Sequence, residues 1–241
     1  MPTAELTRKS ALLANFADIN SRITKACAVS GKDPSGIELL AVTKYAAETD
    51  VAILVGAGAV KTAGENKVQD ARNKWTAGEL AGSRAAVSLH FIGHLQTNKA
   101  KAAVETFDWI DCIDSLKIAA EVNRHAAACG KVMPVLIQLK LTASATQSGV
   151  NPAQAGELLA AIGGLANLAP SGYMGIAPAG AAPEELKTVF AEAKRIFDRD
   201  FPGKANNSGF KNYLSLGMSG DYELAVQAGS NLPRIGSALF A

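Results

Sequence analysis

Lys44 closes an apolar run, Ile37-Glu38-Leu39-Leu40-Ala41-Val42-Thr43-Lys44, with the composition of a buried strand. Where such a strand opens into a loop, a lysine loses part of its hydration, and the neutral amine is favoured. A neutral amine condenses with an aldehyde to give a Schiff base, so Lys44 is a candidate covalent anchor. The far end of the chain carries Gly217-Met218-Ser219 and Arg234-Ile235-Gly236-Ser237. Glycines at Gly217 and Gly236 let backbone amides approach a ligand, and Ser219 and Ser237 add hydroxyl donors, as in a phosphate cradle. Plainer readings stand beside these: Lys44 reaching out to water, Ser219 as a helix N-cap and Gly236 as a turn residue. A ligand suited to both ends carries an aldehyde and a phosphate, which is the chemistry of pyridoxal phosphate.

Arg234 falls inside an apolar segment where a charge needs a partner. Two partners are open to it: the pyridine nitrogen of such a ligand, or a neighbouring carboxylate. Facing the nitrogen, a guanidinium that keeps its proton would leave the ring unprotonated and a poor electron sink. The three histidines, His90, His94 and His125, lack metal spacing, because His90 and His94 are separated by a strand–glycine junction rather than sharing a helix face. His125 reads as a solvated helix residue. No metal is expected, and no Gly-x-Ser-x-Gly elbow or Cys–His pairing supports nucleophilic hydrolysis.

The elements that must position these residues alternate along the chain. A long amphipathic helix is expected from Leu6 through Ile23, then the Lys44 strand, then a helix over Thr49 to Val55. A short strand near 61–63 leads through Gly64-Glu65-Asn66 to a helix reaching about Trp75. Further strands are expected at 88–92, 109–113, 133–139, around 172–174, at 213–216 and at 233–235. Helices fill the intervals at 97–106, from an N-cap at Ser115 to Ala128, at 152–162, from Pro183 to Phe197 and at 219–227. Met133-Pro134-Val135-Leu136-Ile137-Gln138-Leu139 is the kind of continuous apolar run that a parallel sheet buries on both faces. Eight strand signals alternating with helices predict an α/β fold, a (β/α)8 TIM barrel preceded by an extra helix, as one domain over 1–241. An open doubly wound sheet would need a glycine fingerprint after the first strand, and Thr43-Lys44-Tyr45-Ala46-Ala47 is not one. In a barrel, Lys44, Asn66, the His90–Lys99 loop, Ser219 and Gly236-Ser237 all fall at the C-terminal ends of strands, and so share one rim.

With 24 basic and 22 acidic residues the net charge is +2, and the basic residues are dispersed, so nothing points to nucleic acid or an anionic membrane. Three cysteines without metal spacing suit reduced thiols and a cytoplasmic location. No signal peptide or membrane-spanning stretch is expected.

Several segments together resemble the pyridoxal phosphate homeostasis protein family, the YggS/PROSC-like proteins. These are Leu40-Ala41-Val42-Thr43-Lys44, Gly64-Glu65-Asn66-Lys67-Val68-Gln69-Asp70 and His90-Phe91-Ile92-Gly93-His94-Leu95-Gln96-Thr97-Asn98-Lys99. Gln147-Ser148-Gly149-Val150, Gly172-Tyr173-Met174, Leu214-Ser215-Leu216-Gly217-Met218-Ser219 and the closing Arg234-Ile235-Gly236-Ser237-Ala238-Leu239-Phe240 complete the set. The resemblance implies a barrel like the N-terminal half of alanine racemase. It implies Lys44 as Schiff-base lysine, Asn66 beside the cofactor, Ser219, Gly236 and Ser237 on the phosphate, and Arg234 near the pyridine nitrogen. It also implies a protein that holds, buffers or delivers pyridoxal phosphate without robust turnover, with apo enzymes using that cofactor as recipients.

The chain departs from the family pattern at Gln138-Leu139-Lys140, in the uncharged Ala143-Ser144-Ala145-Thr146-Gln147 loop, at Tyr45 and at Gly220. The alternative activity is a weak pyridoxal-phosphate-dependent racemase. Racemisation needs a second base, delivered in alanine racemases by a partner subunit with an added domain that this sequence lacks, so a monomeric carrier is expected. A Schiff-base aldolase fits less well, since its lysine is expected on a later strand.

Overall fold

A computed structural model gives the structure for residues 4–144, 147–203, 205–206 and 208–241. Eight parallel strands form one sheet in the order β7-β6-β5-β4-β3-β2-β1-β8, which curls into the expected barrel. They are β1 (Leu40–Val42), β2 (Thr62–Glu65), β3 (Ser88–Phe91), β4 (Trp109–Ile113), β5 (Met133–Leu139), β6 (Leu168–Gly175), β7 (Tyr213–Ser215) and β8 (Arg234–Ile235). The first and last strands pair in register, Leu40 with Arg234 and Ala41 with Ile235.

Between β7 and β8 there is no regular ladder. That seam is bridged by Asn231 N–H to Leu214 O at 3.1 Å and Arg234 N–H to Gly217 O at 3.0 Å. The buried Ser230 hydroxyl adds contacts to Leu214 O and Leu216 O. β4 and β5 are buried along their whole length, as their mostly apolar sequences require of strands covered by helices outside and by side chains within.

The extra helix α1 (Ala4–Val29) runs longer than its apolar pattern suggested. Leu12, Ile19, Ile23 and Cys27 are buried as it packs across α2 (Glu48–Gly56), α8 (Tyr222–Ala228) and α9 (Ser237–Phe240). The other helices are α3 (Val68–Arg72), α4 (Ala100–Thr106), α5 (Leu116–Ala128), α6 (Ala155–Gly163) and α7 (Pro183–Asp200), whose proline sits in the first turn. None of the described helices is long and apolar enough to cross a membrane.

Four local expectations need correction. β1 stops at Val42, so Lys44 stands two residues beyond it in the loop. The segment reaching Trp75 is α3 followed by a separate π turn, Asn73–Ala77. Ser115 occupies the N-cap position of α5 but turns its hydroxyl to Asp114 rather than to the helix amides. His125 is not freely solvated: its side chain, on α5, is largely covered and lies beside Glu121 and Arg124.

The N-terminal half of the barrel interior is closed by a polar network. His90 Nδ1 meets both oxygens of Asp111, at 3.1 and 2.9 Å, with both residues buried. The imidazole stacks on Trp109 at 5.1 Å, and Tyr213 stands edge-on to both rings. Tyr213 donates to Glu38 at 2.5 Å, and Thr62 donates to the other Glu38 oxygen. Burial works against ionising Glu38, yet the hydrogen bonds from Thr62 and Tyr213, with Lys211 and His90 nearby, hold its carboxyl below the usual range.

Candidate functional site

Lys44, Asn66, Ser219, Arg234, Gly236 and Ser237 line a single open cavity of about 750 Å3 at the C-terminal ends of the strands. Residues separated by up to 193 positions therefore meet because the barrel brings β1 next to β8. The sequence motifs did not include Asp50 and Ile176, which also line the cavity; the fold alone supplies them.

Lys44 is partly buried, with its ammonium 5.1 Å from the centre of the exposed Tyr45 ring at the cavity mouth. Asn66 follows β2, and Gly93 lies so close to its backbone that a Cβ there would collide with the Asn66 carbonyl. That contact ties the second loop of the rim to the third. A further tie crosses the rim from His94 Nδ1 to Ser148 Oγ at 2.8 Å, and Gln147 donates to Ile176 O at 3.2 Å. The divergent loop thus braces the cavity wall at Gln147, while Ala145 and Thr146 lie outside the described residues.

On the opposite side, the expected helix start at Ser219 is not found: α8 begins at Tyr222 with Asp221 in the cap position. The hydroxyl of Ser219 instead accepts two backbone N–H groups, from Gly236 and Ala238, each at 3.3 Å. Those two amides converge on one oxygen at the cavity edge. Gly217 has φ 86°, and a Cβ there would lie 2.6 Å from the Ala225 Cβ, so only glycine permits this turn against α8. Gly236 packs on β1, where a Cβ would come within 3.2 Å of Val42.

Arg234 is 4% exposed. Its guanidinium donates to Ser215 O at 2.7 Å, Ser215 Oγ at 2.9 Å and Gly175 O at 2.9 Å. The carboxylate pairing left open by the sequence does not occur among the described residues; three neutral oxygens orient the group instead. Burial pushes its pKa down to about 10, opposed by the more distant Asp111 and Asp221. At neutral pH the floor of the cavity therefore carries a fixed positive charge.

A family model for the alanine racemase N-terminal domain matches residues 8–241. The pyridoxal phosphate homeostasis protein of Escherichia coli is 36% identical over 226 residues, 94% of each chain, and that of Vibrio alginolyticus is 35% identical over 236 residues. This chain belongs to the pyridoxal phosphate homeostasis protein family. Among solved structures, PipY of Synechococcus elongatus with PLP bound superposes with a TM-score of 0.76 at 31% identity, covering 92% of this chain and all of that one. An alanine racemase of Clostridium difficile aligns over 94% of this chain and 56% of its own, with a TM-score of 0.67; at 15% identity it speaks for the barrel alone. Family membership accounts for the order of the rim motifs along the chain, while their convergence on one cavity follows from the closure of β1 against β8.

Proposed function

We propose that this chain binds pyridoxal phosphate in the rim cavity and serves to hold, buffer and deliver it. The observation that carries the reading is the donor set of one cavity: an amine at one side, two converging amides with serine hydroxyls at the other, and a buried guanidinium between them without a hydrogen-bonded carboxylate. Such a set fits a phosphorylated pyridine aldehyde and would be an ill match for a neutral or cationic ligand. When bound, pyridoxal phosphate would supply an aldehyde within reach of the Lys44 amine.

Lys44 anchors the ligand covalently on this reading. Ser219, Ser237 and the Gly236 amide would hold the phosphate, and Asn66 would lie beside the ring. Arg234, with two nitrogens already fixed by Ser215 and Gly175, would face the ring nitrogen with its charge and keep its own proton. A ring treated in this way is a weak electron sink, which suits storage rather than turnover. The recipients are apo enzymes that use the same cofactor, and the chain acts as a monomer in the cytoplasm. The racemase alternative rests on the likeness of the barrel and has less support.

The test is an absorption spectrum of purified protein incubated with pyridoxal phosphate, for wild type and Lys44→Ala, before and after borohydride. A band near about 420 nm that reduction removes and the variant lacks is the expected outcome. An equal band in Lys44→Ala would move the anchor to another lysine. No band in wild type would overturn the reading.

A further inference from the structure

Beneath the Lys44 loop lies a charged pair that the family motifs do not explain. Glu65, the last residue of β2, is completely buried. Its Oε1 accepts a hydrogen bond from Thr43 Oγ1 at 2.8 Å and faces Lys74 Nζ at 3.5 Å, while its Oε2 is buried with no hydrogen-bond partner. Lys74 makes its closer contacts to backbone. Its ammonium donates to Thr43 O at 2.9 Å and to Lys44 O at 3.3 Å.

These two carbonyls belong to the peptide units on either side of the Lys44 Cα. An ammonium gathering both of them fixes the orientation of both planes, and so leaves the Lys44 backbone little freedom. Thr43 is held independently, with its N–H on Gly64 O at 3.0 Å. Lys74 reaches this position from the π turn Asn73–Ala77, whose extra residue per turn changes the direction in which a side chain leaves the helix. The Lys74 side chain is only 17% exposed, so the carbonyls and the Glu65 carboxylate replace most of its water.

We propose that Lys74 is a positioning residue for the Lys44 anchor, its ammonium pinning the two peptide units that flank Lys44 so that the anchoring amine enters the cavity along one line. Glu65 holds Lys74 there by its charge. The inference rests on the proposed binding of pyridoxal phosphate, and it separates two halves of that binding: Lys74 serves the covalent end and is indifferent to the phosphate end.

Two ligands distinguish the ends. Pyridoxal phosphate can bond to Lys44, whereas pyridoxine 5′-phosphate keeps the ring and phosphate but has an alcohol in place of the aldehyde. In Lys74→Met, the apparent affinity for pyridoxal phosphate is expected to fall about 30-fold, as for a reacting group displaced by roughly 1 Å, while calorimetric affinity for pyridoxine phosphate stays within about twofold. Lys74→Arg, which keeps the charge but not its shape, is expected to show a smaller loss confined to the aldehyde. If Lys74→Met does not fold, Lys74→Arg carries the comparison.

Equal losses for both ligands would make Lys74 a general structural residue and overturn the inference. So would an unchanged band in Lys74→Met when wild type shows one. A wild type without any band removes the binding reading first, and this inference with it.

Discussion

In the N-terminal half of the barrel, His90 is matched with Asp111, Tyr213 with Glu38, and Thr62 with the remaining Glu38 oxygen. At the C-terminal rim, Arg234 is oriented by neutral oxygens, two amides point at a hydroxyl, and a lysine faces open space. Both regions hold charge away from water, which is costly unless compensated. The lower network supplies its own compensation and therefore spends its polar groups on the fold. The rim matches its donors with neutral oxygens alone, so the charge of Arg234 is not balanced by a hydrogen-bonded carboxylate among the described residues, and that imbalance suits an anionic ligand.

The contrast breaks most readily at His90. Replacing it by alanine strips a buried aspartate of its partner, and a loss of about 3 kcal/mol in urea-unfolding stability is expected. The folded protein should still bind pyridoxal phosphate within about threefold of wild type. A collapse of affinity with stability intact would mean that the lower network serves the ligand after all.

Much of this was legible along the chain, for reasons that differ between elements. β4 and β5 could be read to the residue because strands buried on both faces are runs of mostly apolar residues, with Asp111 the one charge among them. β1 could not be bounded, since Thr43 and Lys44 continue its pattern while their peptide units turn aside to Lys74. Ser219 looked like a helix start because serine favours that position; its actual partners, Gly236 and Ala238, lie on the neighbouring loop and leave no local trace. The six rim residues stood in recognisable motifs, whereas Lys74 sits 30 positions from Lys44 in a π turn that has no sequence signature. A role that depends on reaching another residue's backbone is hidden until the fold is known.

At the rim, Gly236→Val should sharpen the contrast from the other side. Its Cβ would press on Val42, and the branch methyls would occupy the space beside the converging amides. An affinity loss of about tenfold is expected for both pyridoxal phosphate and pyridoxine phosphate, with unfolding stability lowered by an overpacking cost of about 1–3 kcal/mol. Unchanged affinity would place the phosphate elsewhere.

The smallest effect concerns pH. Glu38 is depressed in the fold, so its contribution is present above the unfolded carboxylate value of about 4.3 and fades as pH falls through the lower folded value. Tyr213 is raised by burial and by its bond to Glu38, so its contribution is complete below about 10 and fades at higher pH. Tyr213→Phe should cost about 1 kcal/mol on the plateau between those limits. The difference from wild type should narrow towards both extremes of an unfolding-midpoint profile. A pH-independent difference would show that packing, rather than the hydroxyl–carboxylate pair, is what the substitution removes.

The seam between β7 and β8 gives the site a further property. Those strands are joined by a few side-chain and loop hydrogen bonds rather than by a continuous ladder, and they carry the Gly217–Ser219 and Gly236–Ser237 loops. A ligand gripped by both loops would span the weakest joint in the ring and act as a removable staple. Loading and unloading would then be felt as a tightening and slackening of the whole hoop.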